Sequence, residues 1–203
     1  MTKDTYQRTT KETSIEVSID LSNADSKIDT SLPFLDHMLS AFAYYANLSL
    51  NIKASGDVKI DQHHLVEDLG ISLGRAFNKL LYQEVGRKRF SSVRIPMDEA
   101  LSEVTLDLSN RPYLVYNYQA KTEFIGDYQI NNTKEFFYAF AIESRITLHI
   151  NAIYGENDHH QIESFFKALG LAFKEALTIV DSKVTSTKGA LWNTWLLTMV
   201  LAT

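Results

Sequence analysis

The chain has 203 residues, of which 45% are hydrophobic and 11% aromatic, enough for a packed core and too apolar for a disordered protein. It carries 20 Lys and Arg against 25 Asp and Glu, and a net charge of −5 argues against a nucleic-acid-binding surface. Cysteine is absent, which excludes disulfides, thiolate metal sites and a cysteine nucleophile, so nitrogen and oxygen would have to hold any metal.

In the first half, the hydrophobic periodicity predicts strands over Ser14–Leu21 and Leu48–Ile52 and helices over Leu32–Tyr45 and His63–Leu81. In the second half it predicts strands over Leu101–Leu108 and Ile146–Ile150 and helices over Thr133–Ile142 and His159–Val180. Each half is thus expected to run roughly strand, strand, helix, strand, helix.

The order of elements repeats because the sequence itself repeats. His63-His64-Leu65-Val66-Glu67 returns as His159-His160-Gln161-Ile162-Glu163, and Glu16-Val17-Ser18-Ile19-Asp20 returns as Glu103-Val104-Thr105-Leu106-Asp107. The prediction is an α+β fold made of two half-domains, residues 1–91 and 92–189, that join near Phe90–Ile95 and pack as one compact unit, with sheets over helices.

The two ends of the chain carry no membrane or export signal. The first ten residues are polar, which predicts a cytoplasmic protein without a secretory signal. Residues 190–203 form the most apolar stretch, but a helix of that length is too short to span a bilayer. A docking tail, a disordered extension and an expression remnant all remain open for it.

Five of the six histidines fall into three short clusters: His37, the pair His63-His64 and the pair His159-His160. On a helix, each pair's first histidine shares a face with a glutamate four residues later, Glu67 or Glu163. Because successive helical residues point about 100° apart, two adjacent histidines do not easily serve one ion. The doubled pairs therefore predict two metal ions, each bound by one histidine from each pair.

The duplication predicts two ligand sets that exchange when the halves are exchanged. One set is His63, Glu67, His160 and Glu135; the other is His159, Glu163, His64 and His37. His149 lies in a predicted strand and is an alternative to Glu135 as the ligand that completes the first set. Imidazole and carboxylate suit Mn, Fe, Ni, Co or Zn, and the ligands alone do not choose between them. Surface or helix-capping histidines are the structural alternative.

Several motifs occur in an order that is typical of one family: Phe34-Leu35-Asp36-His37-Met38-Leu39, Gly56-Asp57, Met97-Asp98-Glu99-Ala100-Leu101, Asp107-Leu108-Ser109-Asn110-Arg111-Pro112, Thr147-Leu148-His149-Ile150 and Ser186-Thr187-Lys188-Gly189. The two His-His-x-x-Glu segments belong to the same ordered set, and the likeness runs from about Arg8 to Leu191. On these motifs the sequence resembles the imidazoleglycerol-phosphate dehydratases of histidine biosynthesis.

The resemblance implies a duplicated half-domain fold like domain 2 of ribosomal protein S5, and a homo-oligomer of 24 subunits with active sites between neighbours. It implies a carbon–oxygen lyase that converts imidazole glycerol phosphate to imidazole acetol phosphate with two Mn²⁺ per active site. The substrate is a small phosphate ester, and neither nucleic acid nor a membrane is an expected partner.

The same resemblance assigns roles to individual residues. It implies the two metal-ligand sets given above, with Glu67 and Glu163 also in the catalytic group. Glu12 is the first candidate for proton transfer and a substrate contact, whereas Asp98 and Glu99 are weaker candidates that could simply be a solvated strand entry. Further substrate and phosphate contacts are implied for Arg89, Arg111, Lys167, Ser186, Thr187 and Lys188.

Some positions depart from the family pattern. Tyr45 and Ala41 stand where histidine and glutamine are common, and these two changes concern substrate contacts. Glu135 stands where many members have histidine, but it keeps a side chain that can bind a metal, so no predicted ligand is missing. Two rival functions also remain: a dinuclear hydrolase that uses metal-activated water, and a metal-binding protein without activity. A comparison of dehydration with phosphatase activity separates these possibilities.

Overall fold

Two four-stranded sheets and four helices make up the chain in a computed structural model that describes residues 2–22, 25–83, 85–188 and 191. The first half contains, in chain order, β1 (Lys3–Thr9), β2 (Thr13–Asp20), β3 (Lys27–Asp29), α1 (Pro33–Ala46), β4 (Ser49–Gly56) and α2 (His63–Leu81). The second half contains β5 (Phe90–Met97), β6 (Ala100–Asp107), β7 (Tyr113–Asn117), β8 (Phe124–Ile125), β9 (Tyr128–Gln129), α3 (Asn132–Ser144), β10 (Thr147–Tyr154) and α4 (Asp158–Ala176).

The two sheets have the same topology. The first has the strand order β1-β2-β4-β3 and the second the order β5-β6-β10-β7, each with two antiparallel pairings and a final parallel one. In addition, β8 and β9 form a small hairpin between β7 and α3. The sequence duplication is therefore a duplication of structure, and the predicted α+β fold is confirmed.

The ends of the helices follow local sequence chemistry and also repeat between the halves. Pro33 occupies the first turn of α1, where its missing N–H costs no hydrogen bond. The residues that follow α1 and α3, Asn47 and Arg145, cap these helices with left-handed backbone angles (φ of 56° and 59°), which let the cap N–H donate to the last carbonyls. The side chain of Asn157 caps α4 by accepting the backbone N–H of His159 at 2.9 Å.

The core lies between the sheets, where the four helices pack in two layers. α1 and α2 cover the first sheet and α3 and α4 the second, and each helix also packs across the middle, α1 on α4 and α2 on α3. Eight phenylalanines are fully buried there: Phe42, Phe77, Phe136, Phe137, Phe140, Phe165, Phe166 and Phe173. Each central crossing therefore pairs one helix from each half, and the candidate site described below lies at the start of these crossings.

Predicted and observed elements agree for all four helices, with small differences at their ends. α2 has the predicted bounds, whereas α4 ends at Ala176 rather than Val180. Compared with the predicted order, the first half has one more strand and the second half has three more, two of which form the β8–β9 hairpin. The segment expected to join the halves, Phe90–Ile95, is part of β5. Apart from Leu191, the expected tail 190–203 lies outside the described residues. No helix in the described ranges is both long and apolar enough to cross a bilayer.

Candidate metal and substrate site

The crossing of α1 over α4 is very close because Gly170 faces α1. A Cβ atom at position 170 would lie 2.6 Å from the carbonyl oxygen of Phe42 and 2.9 Å from the backbone nitrogen of Ala46. Only glycine allows this approach of the two backbones. The crossing places His37, on the first turns of α1, beside the start of α4.

There, three predicted ligands meet. Oε2 of Glu163 lies 3.3 Å from Nε2 of His37 and 3.1 Å from Nε2 of His159, and one ligand atom from each residue falls within 4.8 Å of the others. Among the described residues this is the one group of three that could hold a metal ion. We call His37, His159 and Glu163 the α1–α4 triad.

Glu163 is held as a carboxylate in this triad. Its side chain is only 8% exposed, and Lys167 Nζ lies 2.7 Å from Oε1. Burial by itself would raise the pKa of Glu163, but the Lys167 ammonium and His37 outweigh it and lower the pKa. The Lys167 ammonium also lies 5.9 Å from the centre of the Tyr45 ring. Tyr45, which differs from the family pattern, is therefore next to the lysine that pairs with Glu163. A negative, buried carboxylate between two imidazoles is chemically suited to a divalent cation.

The duplicate crossing, α2 on α3, repeats this arrangement in part. Gly74 faces the backbone of α3, since an added Cβ would lie 2.9 Å from both the carbonyl oxygen of Phe140 and the nitrogen of Ser144. On α2, Nε2 of His63 lies 3.5 Å from Oε2 of Glu67. Glu135 is half-buried on the first turn of α3, at the place that corresponds to His37 on α1.

The other histidine of each pair turns towards carboxylates instead of joining these groups. Nδ1 of His64 lies 3.1 Å from Asp57 and 3.8 Å from Glu12, and the hydrogen bond to Asp57 raises the pKa of His64. In the second half, Nδ1 of His160 lies 2.7 Å from Glu99, and this bond raises the pKa of His160. The members of each pair therefore point to different places, as the 100° helical step requires.

Glu99, a weaker candidate for proton transfer, is heavily hydrogen-bonded. It accepts from His160 and from the backbone N–H groups of Asn157 at 2.8 Å and Glu156 at 3.1 Å. These bonds, the one from His160 first, lower the pKa of Glu99 to about 2. Asp98 lies 3.7 Å from Nε2 of His160 and is mostly exposed.

His149, the alternative to Glu135, lies in the middle of β10, where it is paired with Thr105. Its neighbours Leu148 and Ile150 are fully buried, so His149 points to the opposite face of the sheet, away from the helices. This orientation favours Glu135, which shares the helical layer with the other ligands.

The cationic residues expected to bind phosphate fall into two groups. Arg89 makes a two-point ion pair with Asp107, at 2.6 and 3.1 Å, and donates to the carbonyl of Thr185 at 2.8 Å. Arg111 joins the same carboxylate at 3.3 Å. The backbone N–H of Lys188 donates to the side-chain oxygen of Ser186 at 3.3 Å, next to exposed Thr187. Asp107 thus binds two arginines beside residues 185–188, whereas Lys167 pairs with Glu163 of the triad.

Within one chain these cations lie far from the α1–α4 triad. The backbone N–H of Arg89 donates to the carbonyl of Ala176, the last residue of α4, while Glu163 is in its second turn. At 1.5 Å per residue, these two positions on α4 are about 20 Å apart.

An open recess of about 590 Å³ lies beside the start of α4. It is lined by His159 and His160, by Glu99 and by residues of the β8–β9 hairpin, among them Phe124 and Ile125. Its size falls in the range of small-molecule sites.

Three carboxylates that organise the site were not predicted as functional residues. Asp57 and Asp107 stand inside the motifs that carry the resemblance, but nothing in the sequence shows that they orient His64 and the arginines. Asp158 directly precedes the second His-His pair and is buried, and it binds the segment before α3. Its proximity to the histidines is the only signal in the sequence that marks it.

Comparisons with known proteins agree on one family. Residues 30–173 match the family model described as imidazoleglycerol-phosphate dehydratase. The imidazoleglycerol-phosphate dehydratase of Clostridioides difficile is 48% identical over 91% of this chain and 97% of its own length, and that of Caldicellulosiruptor bescii is 46% identical over 91% and 96%.

Solved structures of the same enzyme are also similar. The crystal structure from Staphylococcus aureus is 39% identical and superposes with a TM-score of 0.81 over 88% of this chain and 99% of its own. The structure from Pyrococcus furiosus, in complex with (S)-C348, is 40% identical, with a TM-score of 0.80 over 91% and 99%.

Proposed function

The chain belongs to the imidazoleglycerol-phosphate dehydratase family, hydro-lyases (EC 4.2.1.19) of histidine biosynthesis, and on this basis we propose that its helices hold two Mn²⁺ ions for that dehydration. The observation that carries the proposal is the α1–α4 triad, in which two imidazoles and one buried carboxylate converge. The enzyme acts on a small phosphate substrate, and we expect it in the cytoplasm.

The donor set fits Mn²⁺. The chain has no cysteine, and imidazole nitrogen and carboxylate oxygen are ligands that Mn²⁺ accepts. The first ion would be held by His37, His64, His159 and Glu163. The second would be held by His63, Glu67, His160 and Glu135, whose carboxylate replaces an imidazole without removing a ligand.

A second chain is needed to complete these sets. His64 and His160 face Asp57 and Glu99 within the chain, and the arginine group lies about 20 Å along α4 from Glu163. A substrate the size of imidazole glycerol phosphate is too short to bridge that distance. We therefore propose a homo-oligomer in which neighbouring chains supply the missing ligands and the phosphate contacts, with 24 subunits as the resemblance implies.

The reaction sets what the side chains must do. Its substrate carries hydroxyls on the two carbons next to the imidazole ring, and its product carries a CH₂ and a ketone there. The carbon beside the ring therefore loses its hydroxyl, and the next carbon loses a proton to give an enol that becomes the ketone. When bound, the metal ions would supply Lewis-acid stabilisation for negative charge that develops on the ring.

Glu12 is a better candidate base than Glu99. Glu99 accepts three hydrogen bonds and has a pKa of about 2, which makes it a weak base near neutral pH. The Glu12 side chain is 57% exposed, and its closest cationic partner, Nδ1 of His64, lies 3.8 Å away. Glu12 is thus free to accept the proton from the substrate carbon, while Glu99 orients His160.

The phosphate group would be bound by Arg89, Arg111, Ser186, Thr187 and Lys188. Arginine offers two parallel donors to a phosphate and lysine a compact charge. Asp107 fixes both guanidinium groups beside residues 185–188, which prepares this binding site. Lys167, which pairs with Glu163, would meet the substrate nearer the metal ions.

The experiment is turnover of imidazole glycerol phosphate after chelation and return of Mn²⁺, with phosphate release measured on the same sample. We expect dehydration to disappear with the metal, to return with Mn²⁺, and to exceed phosphate release throughout. Glu12→Gln should lower kcat by about 10²–10⁴, the range of general acid–base catalysis. Glu16→Gln is the control, because Glu16 is an exposed glutamate on β2, four residues after Glu12. Folded protein that neither binds Mn²⁺ nor dehydrates the substrate would refute the proposal.

A further inference from the structure

The duplication has one clear exception, the connection that leads into the third helix. In the first half, residues 30–32 join β3 to α1, whereas in the second half residues 118–131 join β7 to α3 and contain the β8–β9 hairpin. We call residues 118–131 the β7–α3 segment. A segment that only the second half contains suggests a function that the repeated elements do not provide.

One end of the β7–α3 segment is fixed to the start of α4. Asp158, which is 6% exposed, accepts hydrogen bonds from the hydroxyl of Tyr118 at 2.6 Å and from the backbone N–H of Lys121 at 3.1 Å. Its other oxygen accepts the backbone N–H and the hydroxyl of Thr122, both at 2.7 Å. Four donors on one carboxylate make a strong attachment immediately before His159 and His160.

The other end is fixed to the start of α2. The side-chain amide of Gln62 donates to the carbonyl of Asp127 at 2.5 Å, and its oxygen accepts the backbone N–H of Gln129 at 3.0 Å. Gln62 immediately precedes His63 and His64, so Gln62 and Asp158 occupy equivalent positions in the two halves. The β7–α3 segment therefore connects the residues that precede both His-His pairs.

The segment also reaches the remaining two ligand-bearing helices. The ring of buried Tyr128 lies 5.2 Å from that of Phe34 on α1, and Phe34 in turn lies 5.2 Å, edge to face, from His159. The Tyr128 hydroxyl accepts a hydrogen bond from Thr133 on α3 at 3.2 Å, two residues before Glu135. All four helices that carry proposed ligands thus meet this one segment near their first turns.

We propose that the β7–α3 segment sets the spacing between the two His-His pairs, and that Gln62 and Asp158 are positioning residues that couple the two metal groups. This inference rests on the proposed function. Residues that orient metal ligands from outside the coordination sphere commonly change metal affinity tenfold or more when removed. A change at Gln62 should therefore reach the α1–α4 triad, although Gln62 immediately precedes α2 and not α1 or α4.

The test measures Mn²⁺ binding at the site that contains the triad, in the assembled protein with Glu67→Gln as background to weaken the second site. Adding Gln62→Met should lower the remaining Mn²⁺ affinity about tenfold, as seen by electron paramagnetic resonance titration. Gln119→Met makes the same chemical change at an exposed position of the same segment and should leave the affinity unchanged.

A second measurement needs no metal. In the metal-free protein, Gln62→Met should speed hydrogen exchange several-fold at the amides of Lys121 and Thr122, which bond Asp158 at the opposite end. Unchanged exchange there, or unchanged affinity of the triad, would overturn this inference while turnover of the wild type stays normal. Failure of the wild type itself to bind Mn²⁺ and turn over would instead overturn the proposed function, so the two failures are distinguishable.

Discussion

Gly170→Ala tests the helix crossing that assembles the triad. The added Cβ would lie 2.6 Å from the carbonyl oxygen of Phe42 and 2.9 Å from both Cβ of Tyr45 and the nitrogen of Ala46. Two of these are backbone atoms of α1, so the whole helix has to move away from α4. His37 moves with it, and its distance to Glu163 increases.

Two opposing effects decide the magnitude. Overpacking a tight core contact costs about 1–3 kcal/mol, whereas replacing glycine by alanine inside a helix stabilises it by about 0.5–1 kcal/mol. The net loss should be about 1 kcal/mol, which lowers Tm by about 2–4 °C in a domain of this size. Mn²⁺ affinity should fall as well, because the distance between His37 and Glu163 increases.

The assay is thermal unfolding followed by circular dichroism at one fixed protein concentration, since the Tm of the proposed oligomer would depend on concentration. Gly74→Ala is the matched variant at the duplicate crossing and should cost a similar stability while disturbing the α2 group instead. A Gly170→Ala protein as stable as the wild type, or more stable, would show that helix propensity outweighs the contact and would refute the reasoning.

Three further predictions concern other parts of the fold. Asp107→Asn removes the charge that holds Arg89, and we expect a several-fold rise in KM for the phosphate substrate with a smaller change in kcat, measured by steady-state kinetics. Phe42→Ala opens a cavity beside three other phenylalanine rings and should cost about 3–5 kcal/mol in urea unfolding, whereas a cost below 1 kcal/mol would contradict the close packing. The pKa of Glu175 is lowered by hydrogen bonds from Lys88 and Ser91, so its contribution to stability is present above pH 4.5 and disappears as the pH falls through the lowered pKa. Glu175→Gln should therefore reduce the fall of Tm below pH 4.5, and an unchanged fall of Tm in acid would contradict this.

Periodicity and repetition predict the elements that are long and half-buried. α2 has the predicted bounds because its apolar face continues without interruption from Leu65 to Leu81, and the strands β2 and β6 alternate buried and less buried residues along their whole length. In the structure α1 packs on α4 and α2 packs on α3, so each crossing becomes the other when the two halves are exchanged.

Other features leave little trace in a single sequence. β1 (KDTYQRT) has no buried residue and contains Tyr6 as its only aromatic or aliphatic side chain, and β8 and β9 have two residues each. None of the three shows the apolar–polar alternation in sequence that predicts a strand. The hydrogen bonds of Asp158 and Gln62 to the β7–α3 segment depend on tertiary contacts between residues far apart in the chain. The half-domain boundary at residues 91 and 92 and the role of the 190–203 tail stay predictions.

The measurement that most directly tests the proposed site is the number of Mn²⁺ ions bound per chain, determined by metal analysis of folded, chelated and reloaded protein. The two ligand sets predict about two ions in the wild type and about one in Glu163→Gln, which removes the buried carboxylate between His37 and His159. Glu175→Gln, at the far end of the same helix, should retain both ions. A Glu163→Gln protein that binds as many ions as the wild type would contradict the assignment of the triad as a metal site.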